Sequence, residues 1–212
     1  MATTYPEIRI GVLGLQGDVS EHVEAVNETL KQMSVPGEAI IVKKASQIDE
    51  IHGLIMPGGE STTVGRIARQ EHIIDKVVEA ARSGMPILGT CAGAILLAKE
   101  VYDSKIGDTG QPVLGLMDIR VARNAFGRQK DSFEADITIP ILGDQVFRGV
   151  FIRAPIIERM WGHAQILAKY QEKTVAVQQG NLFATSFHPE LSGETRFHQH
   201  FVRVVLKSPV IS

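Results

Sequence analysis

Short apolar runs alternate with amphipathic stretches through the first half of the chain. Ile8 to Leu15 (IRIGVLGL) is an apolar run carrying glycine near its end, the form of a buried parallel strand. Val19 to Met33 follows with Val23, Val26 and Leu30 at helical spacing, which predicts an amphipathic helix. After the Pro36-Gly37 break come strands at Ala39 to Val42 and Gly53 to Met56, the second running directly into Pro57-Gly58-Gly59. Helical pattern covers Ser61 to Ser83 in two pieces, then a strand Pro86 to Gly89 and a helix Ala92 to Glu100. Strands alternating with helices predict an α/β three-layer sandwich, a mostly parallel central sheet between helices.

The second half changes period. Leu116 to Ala122, Ser132 to Ile139, Val146 to Ile152, Gln165 to Tyr170, Thr174 to Gln179 and Leu182 to Ser186 all read as strands. Short turns such as Leu142-Gly143-Asp144 join them, so extra antiparallel strands are expected. A helix from Glu194 to Leu206 follows. No repeat or linker interrupts the pattern, and residues 1–212 are expected to form one domain.

Composition narrows the function classes. A formal net charge of -2 gives no electrostatic reason to expect nucleic acid or an anionic membrane as partner. No apolar run approaches the ~20 residues of a membrane span, and the N-terminus lacks the pattern of a signal peptide. A cytoplasmic location is expected. Cys91 is the one cysteine, so an intramolecular disulfide and a four-cysteine zinc site are both excluded.

A lone cysteine is usually a small buried hydrophobe, and its neighbours must decide otherwise. Gly89-Thr90-Cys91-Ala92-Gly93 joins an apolar strand to a helix in the G-x-nucleophile-x-G form, with cysteine in the place of serine. The turn is sharp, and the two glycines remove side chains that would collide with it. At a helix N-terminus the thiolate is favoured over the thiol, and the Ala92 N–H points to where an oxyanion would form.

Ser186-Phe187-His188-Pro189-Glu190 supplies a base and its orienter. Pro189 favours an extended His188, and residues two apart in extended chain project to one side, which predicts a Glu190 carboxylate on one imidazole nitrogen. The remaining histidines (His22, His52, His72, His163, His198 and His200) form no metal-binding pattern; His198 and His200 would point to different faces of a helix. The Pro57-Gly58-Gly59-Glu60-Ser61 loop leaves a strand for a helix and can bring a second oxyanion donor beside the cysteine, or be a plain turn with Ser61 as N-cap. For an amino-acid substrate, Arg123, Arg153 and Glu60 are the candidate charges for the carboxylate and ammonium ends.

With these residues in view, the chain resembles the class I, triad-type glutamine amidotransferases. Within them it is similar to the glutaminase subunits of two-component pyridoxal 5'-phosphate synthases. The resemblance is carried by LGLQG (Leu13 to Gly17), PGGEST (Pro57 to Thr62), GTCAG, RNAFGRQ (Arg123 to Gln129), FIRAP (Phe151 to Pro155) and SFHPEL (Ser186 to Leu191). It implies a flavodoxin-like fold, hydrolysis of L-glutamine by a Cys91-His188-Glu190 triad, and an oxyanion hole from Gly59 and Ala92. It also implies glutamine contacts from Gly59, Glu60, Ser61, Arg123, Ile152 and Arg153, and a role for Gln16 in activation by the partner. That partner would be a (β/α)8-barrel synthase subunit receiving the ammonia; the amide hydrolysis itself needs no cofactor or metal. The stretch Tyr102 to Pro112 departs from the family pattern and is expected to affect surface detail alone. Alternatives are the glutaminase subunit of another amidotransferase, a cysteine peptidase or deglycase of similar fold, and a non-catalytic interaction subunit.

Overall fold

The computed structural model describes residues 5–103, 106–123 and 132–211. In chain order the first elements are β1 (Ile8–Leu13), α1 (Val19–Gln32), β2 (Gly37–Val42), β3 (Gly53–Met56), α2 (Ser61–Gln70), α3 (Ile73–Arg82), β4 (Ile87–Thr90) and α4 (Ala92–Leu97). Then come β5 (Ala98–Asp103), β6 (Gly107–Asp108), β7 (Met117–Arg123), β8 (Ser132–Ile137), β9 (Phe147–Ile152) and β10 (Ile156–Met160). β11 (Gln165–Tyr170), β12 (Lys173–Gln179), β13 (Leu182–Thr185) and α5 (Arg196–Val205) complete the frame.

One large sheet runs in the order β2-β1-β3-β4-β13-β12-β10-β7-β5-β6, with β11 added on β12, while β8 and β9 form a separate hairpin. The neighbours from β2 to β13 are all parallel, and those from β13 through β12 and β10 to β7 are antiparallel. The expected layered α/β architecture with added antiparallel strands is what forms. Alternation of side chains along each strand feeds two cores. Ile8, Ile10, Val12, Ile55 and Leu88 join α1, α5 and the β8–β9 hairpin on one face, where Phe147, Phe151, Phe197 and Phe201 are fully buried. Leu13, Leu54, Met56 and Ile87 pack on the opposite face against Val64, Ala68, Ile73, Val77 and Leu96 of α2, α3 and α4.

Two departures from the sequence reading matter. The helix expected over Ala92 to Glu100 ends at Leu97, and Ala98–Asp103 is instead strand β5, paired in parallel with β7. Apolar spacing is ambiguous there, and tertiary pairing decides for strand. β10, not anticipated at all, lies between β12 and β7. Its Ile156 and Ile157 are both buried where strict alternation would expose one, and the register shifts between Ile157 and Arg159. That irregularity removes the period by which a strand is read. Among the described residues no helix is long and apolar enough to cross a membrane.

Candidate active site

The C-terminal ends of the parallel strands, where open α/β sheets place their ligands, carry the loops that meet here. β4 delivers Cys91 at φ 49° and ψ -101°, a strained conformation for a non-glycine residue. The strain is held by packing: the Cys91 N–H donates to Thr185 O at 2.8 Å across the β4–β13 pair. A Cβ on Gly93 would lie 2.0 Å from Met56 O, and one on Gly89 would lie 2.5 Å from the Gly93 backbone. Glycine at both places is therefore a steric requirement of the turn.

His188 and Glu190 follow β13. His188 is extended, as the following proline demands, and its N–H donates to Val150 O at 2.8 Å. Phe187 anchors the segment in the aromatic core, with its ring 5.8 Å from Phe151 and 5.9 Å from Phe197. Glu190 reaches His188 by a different route from the one the sequence suggested. Pro189–Leu191 is a 3-10 turn and not an extended run, and the turn brings Glu190 Oε1 within 2.7 Å of His188 Nδ1.

Asp18, which the sequence reading passed over, places Oδ2 3.2 Å from the same Nδ1. Burial alone would push the His188 imidazole down, but the carboxylates of Asp18 and Glu190 on Nδ1 and the nearby Cys91 outweigh that and raise it to about 12. The hydrogen bond from His188 holds the Asp18 carboxyl below its ordinary value. Burial pushes Glu190 up, against the opposing effect of His188. Asp18, His188 and Glu190 bring metal-ligand atoms within 4.8 Å of one another. Both carboxylates converge on one ring nitrogen, His188 Nδ1, which a single N–H can serve.

These groups open into a cleft of about 220 Å³ lined by Asp18, Gly59, Glu60, Ser61, Cys91, Ile95, Arg123, Ile152, Arg153, Pro155 and His188. Of the residues singled out from sequence, all but Gln16, Ala92 and Glu190 line it. Ala92 is buried directly behind Cys91 as the first residue of α4, and Glu190 stands behind His188 with its side chain fully buried. Cys91 Sγ lies 3.8 Å from Ile152 O. Arg153 is exposed and takes a left-handed φ of 43° at the end of β9.

The Pro57 to Ser61 loop holds a correction. Glu60, not Ser61, is the N-cap of α2: its carboxylate accepts from Thr62 N at 3.2 Å and from Thr63 N at 2.7 Å. Burial favours the neutral acid, but the bonds from Thr63 and Thr62 win and lower the carboxyl. Arg123 joins the same cluster, donating Nη2 to Glu60 Oε1 at 3.3 Å and Nη1 to Thr62 Oγ1 at 3.0 Å. Arg123 Nη1 also donates to Gln111 Oε1 at 2.9 Å. Gln111 lies in the stretch expected to touch only the surface, and that expectation is overturned: a residue of this stretch holds a cleft arginine. The remainder of the RNAFGRQ motif, residues 124–129, lies outside the described residues.

Gln16 sits outside the cleft but is tied to its rim, with Oε1 accepting from Glu60 N at 3.0 Å. Gly17, at φ 104°, lies so close that a Cβ there would fall 1.7 Å from Gly58 O. The loops after β1 and β3 therefore touch backbone to backbone. Asp18 and Gln111 carry no local signature, being a carboxylate and an amide in ordinary loops that only the sheet order brings to this edge.

The profile of the SNO glutamine amidotransferase family matches residues 12–207. A protein of Staphylothermus marinus named pyridoxal 5'-phosphate synthase subunit PdxT is 47% identical over 204 residues, covering 94% of this chain and 100% of that one. The protein of the same name from Pyrobaculum aerophilum is 48% identical over 204 residues, covering 94% and 98%. A crystal structure titled as a glutamine amidotransferase superposes with a TM-score of 0.82 at 44% identity, covering 92% of this chain and 98% of that one. Since the matched span takes in Asp18, Cys91, Arg123, His188 and the rest of the cleft lining, and the relatives align over almost the whole chain, the protein belongs to the SNO glutamine amidotransferase family.

Proposed function

We propose that this protein hydrolyses L-glutamine to L-glutamate and ammonia and passes the ammonia to a pyridoxal 5'-phosphate synthase partner. The observation that carries the reading is the strained Cys91 opening into the same cleft as His188, whose Nδ1 is held by Glu190 at 2.7 Å. The relatives' printed names supply the pathway.

In this mechanism the Cys91 sulfur attacks the carboxamide carbon of glutamine with its proton passed to His188. The N–H groups of Gly59 and Ala92 stabilise the oxyanion. His188 then protonates the departing nitrogen, the C–N bond breaks, and ammonia leaves a glutamyl thioester. Water, deprotonated by His188, attacks the thioester carbonyl and releases glutamate and the free cysteine. Glu190 keeps the imidazole oriented through both half-reactions. Arg123 and Arg153 take the charged end of glutamine beside Ile152, with Glu60, bonded to Arg123, and Ser61 completing the contacts.

Ammonia released into water at neutral pH becomes ammonium, which is not a nucleophile, so the product must travel a protected path. The synthase partner is read as a (β/α)8 barrel, and the assembly as cytoplasmic. Gln16, bonded to the Glu60 N–H, is where partner docking would reach the oxyanion loop.

Glutamate release measured with and without the synthase subunit tests the whole reading. Hydrolysis that rises when the partner is added supports it, and indifference to the partner reopens the pathway. No hydrolysis in either condition sinks the enzyme reading. Arg123→Ala is expected to raise the KM for glutamine by about 10-fold while kcat changes less than about three-fold, because uniform binding is lost. A fall in kcat at constant KM would remove Arg123 from the binding set.

A further inference from the structure

Behind the triad lies a second line of buried polar groups that the reaction above does not use. His22 of α1 and His198 of α5 are both fully buried, and Thr90 beside Cys91 is buried with them. His22 Nε2 lies 3.1 Å from Thr90 Oγ1 and 3.2 Å from Glu190 Oε2, and His22 Nδ1 lies 3.3 Å from His198 Nε2. Glu190 Oε2 and His198 Nδ1 are both buried without a well-aligned hydrogen-bond partner, and His22 Nε2 stands 3.2 Å from that oxygen.

This pattern selects one arrangement of protons. A lone pair on His22 Nε2 would face a carboxylate oxygen and repel it, so that nitrogen must carry the hydrogen. In a neutral ring His22 Nδ1 is then the acceptor, and His198 Nε2–H donates to it. The atom left over is a lone pair on His198 Nδ1, and no buried N–H of either ring goes unpaired. Burial, helped by the neighbouring His198 and His188, pushes His22 well below the usual histidine range, and burial pushes His198 down to about 4, so both rings are neutral at physiological pH.

We propose that His22 is a positioning residue of the triad: as the neutral Nε2–H tautomer it presents that N–H to Thr90 Oγ1 and to the second oxygen of Glu190, 3.2 Å away, and so favours the ionised carboxylate turned toward His188. The proposal rests on the triad reading above. Glu190 would otherwise sit with a full charge and one satisfied oxygen in a buried site that favours its neutral form. Protonated, it could accept from His188 only as a neutral carbonyl and would no longer balance the charge of the ring. His198 fixes which His22 nitrogen has the proton, and Thr90 links the pair to the cysteine turn.

The two amides that mimic the two imidazole nitrogens separate this role from packing. His22→Gln puts an N–H near the place of Nε2, whereas His22→Asn reaches only the place of Nδ1. Beside the synthase subunit, the Gln variant is expected to keep kcat within about three-fold of wild type and the Asn variant to lose about 30-fold, with KM within about two-fold in both. Losing a donor to the ionised form raises a carboxyl group's pKa, so in the Asn variant alone the acid limb of kcat/KM moves to higher pH by roughly one unit. The other titratable groups facing this site are Asp18, His188 and His198, all retained in both variants. Ring-nitrogen NMR of the wild type should show His22 as the neutral Nε2–H tautomer from about pH 6 to 8. Equal effects of Gln and Asn, an unmoved acid limb, or an Nδ1–H or doubly protonated His22 would each overturn the proposal. If the variants do not fold, the tautomer decides alone. A wild type that fails to hydrolyse glutamine beside its partner defeats the functional reading, a result distinct from the tautomer measurement.

Discussion

Cys91→Ala should lower glutamine hydrolysis by about 10⁴-fold or more in the presence of the synthase subunit, and leave glutamine binding within a factor of about three. The expectation follows from what stays in place. Arg123, Arg153, Glu60 and the cleft walls do not depend on the sulfur, and the Cys91 main chain keeps its bond to Thr185 O. What vanishes is the atom that forms the thioester, and neither His188 nor Asp18 can form a comparable intermediate. Alanine also tolerates the turn no worse than cysteine, so unfolding cannot be the cause of the loss. Rate measurements paired with equilibrium binding of glutamine decide the matter. Retention of more than about one per cent of kcat would show that Cys91 is a buried structural residue and that another group does the chemistry.

Gly93→Ala is expected to be the most damaging conservative change in the fold. The added methyl would meet Met56 O at 2.0 Å, and the neighbour is backbone in the middle of the sheet, which cannot rotate away. Overpacking against main chain should cost about 3 kcal/mol, and for a chain of this size that lowers the unfolding midpoint by roughly 10 °C. Gly180→Ala is the comparison: its φ of 58° is also left-handed, but open space surrounds it. Only the backbone penalty of about 1 kcal/mol applies there. Thermal unfolding followed by circular dichroism distinguishes the two. A Gly93→Ala midpoint within about 2 °C of wild type would mean that α4 can shift away from β3, and that the cysteine turn is looser than its packing indicates.

The parts of this molecule that could be read from residues alone are those in which local sequence and tertiary structure ask for the same thing. The apolar runs of β1, β3 and β4 each end at glycine-rich loops, so strand, edge and loop are visible in one stretch. Cys91 and His188 share that advantage, each sitting where a strand stops. Glu190 was legible as His188's partner, but the 3-10 turn that delivers it was not, since Pro189 permits either conformation. β5 and β10 were missed because their identity comes from pairing with β7, a relation across sequence that periodicity does not encode. Asp18, Gln111 and His22 were missed for a related reason. His22 lies on the buried stripe of α1 with Val26, Thr29 and Leu30, where a polar residue at an apolar position is a visible anomaly. The sequence marks the anomaly without saying what the ring touches.

The place of β13 in the sheet bears on when during synthesis the site can form. It is the last strand of the described residues, yet it lies between β4 and β12, parallel to one and antiparallel to the other. Contacts of such sequence separation form slowly, and a nascent chain on the ribosome holds the cysteine long before its base. Until Leu182–Thr185 inserts, Cys91 has no Thr185 carbonyl to hold its turn and no histidine beside it. Under the proposed function, incomplete and truncated chains would be unable to consume glutamine, because the strand that closes the sheet is the one that carries His188 to Cys91.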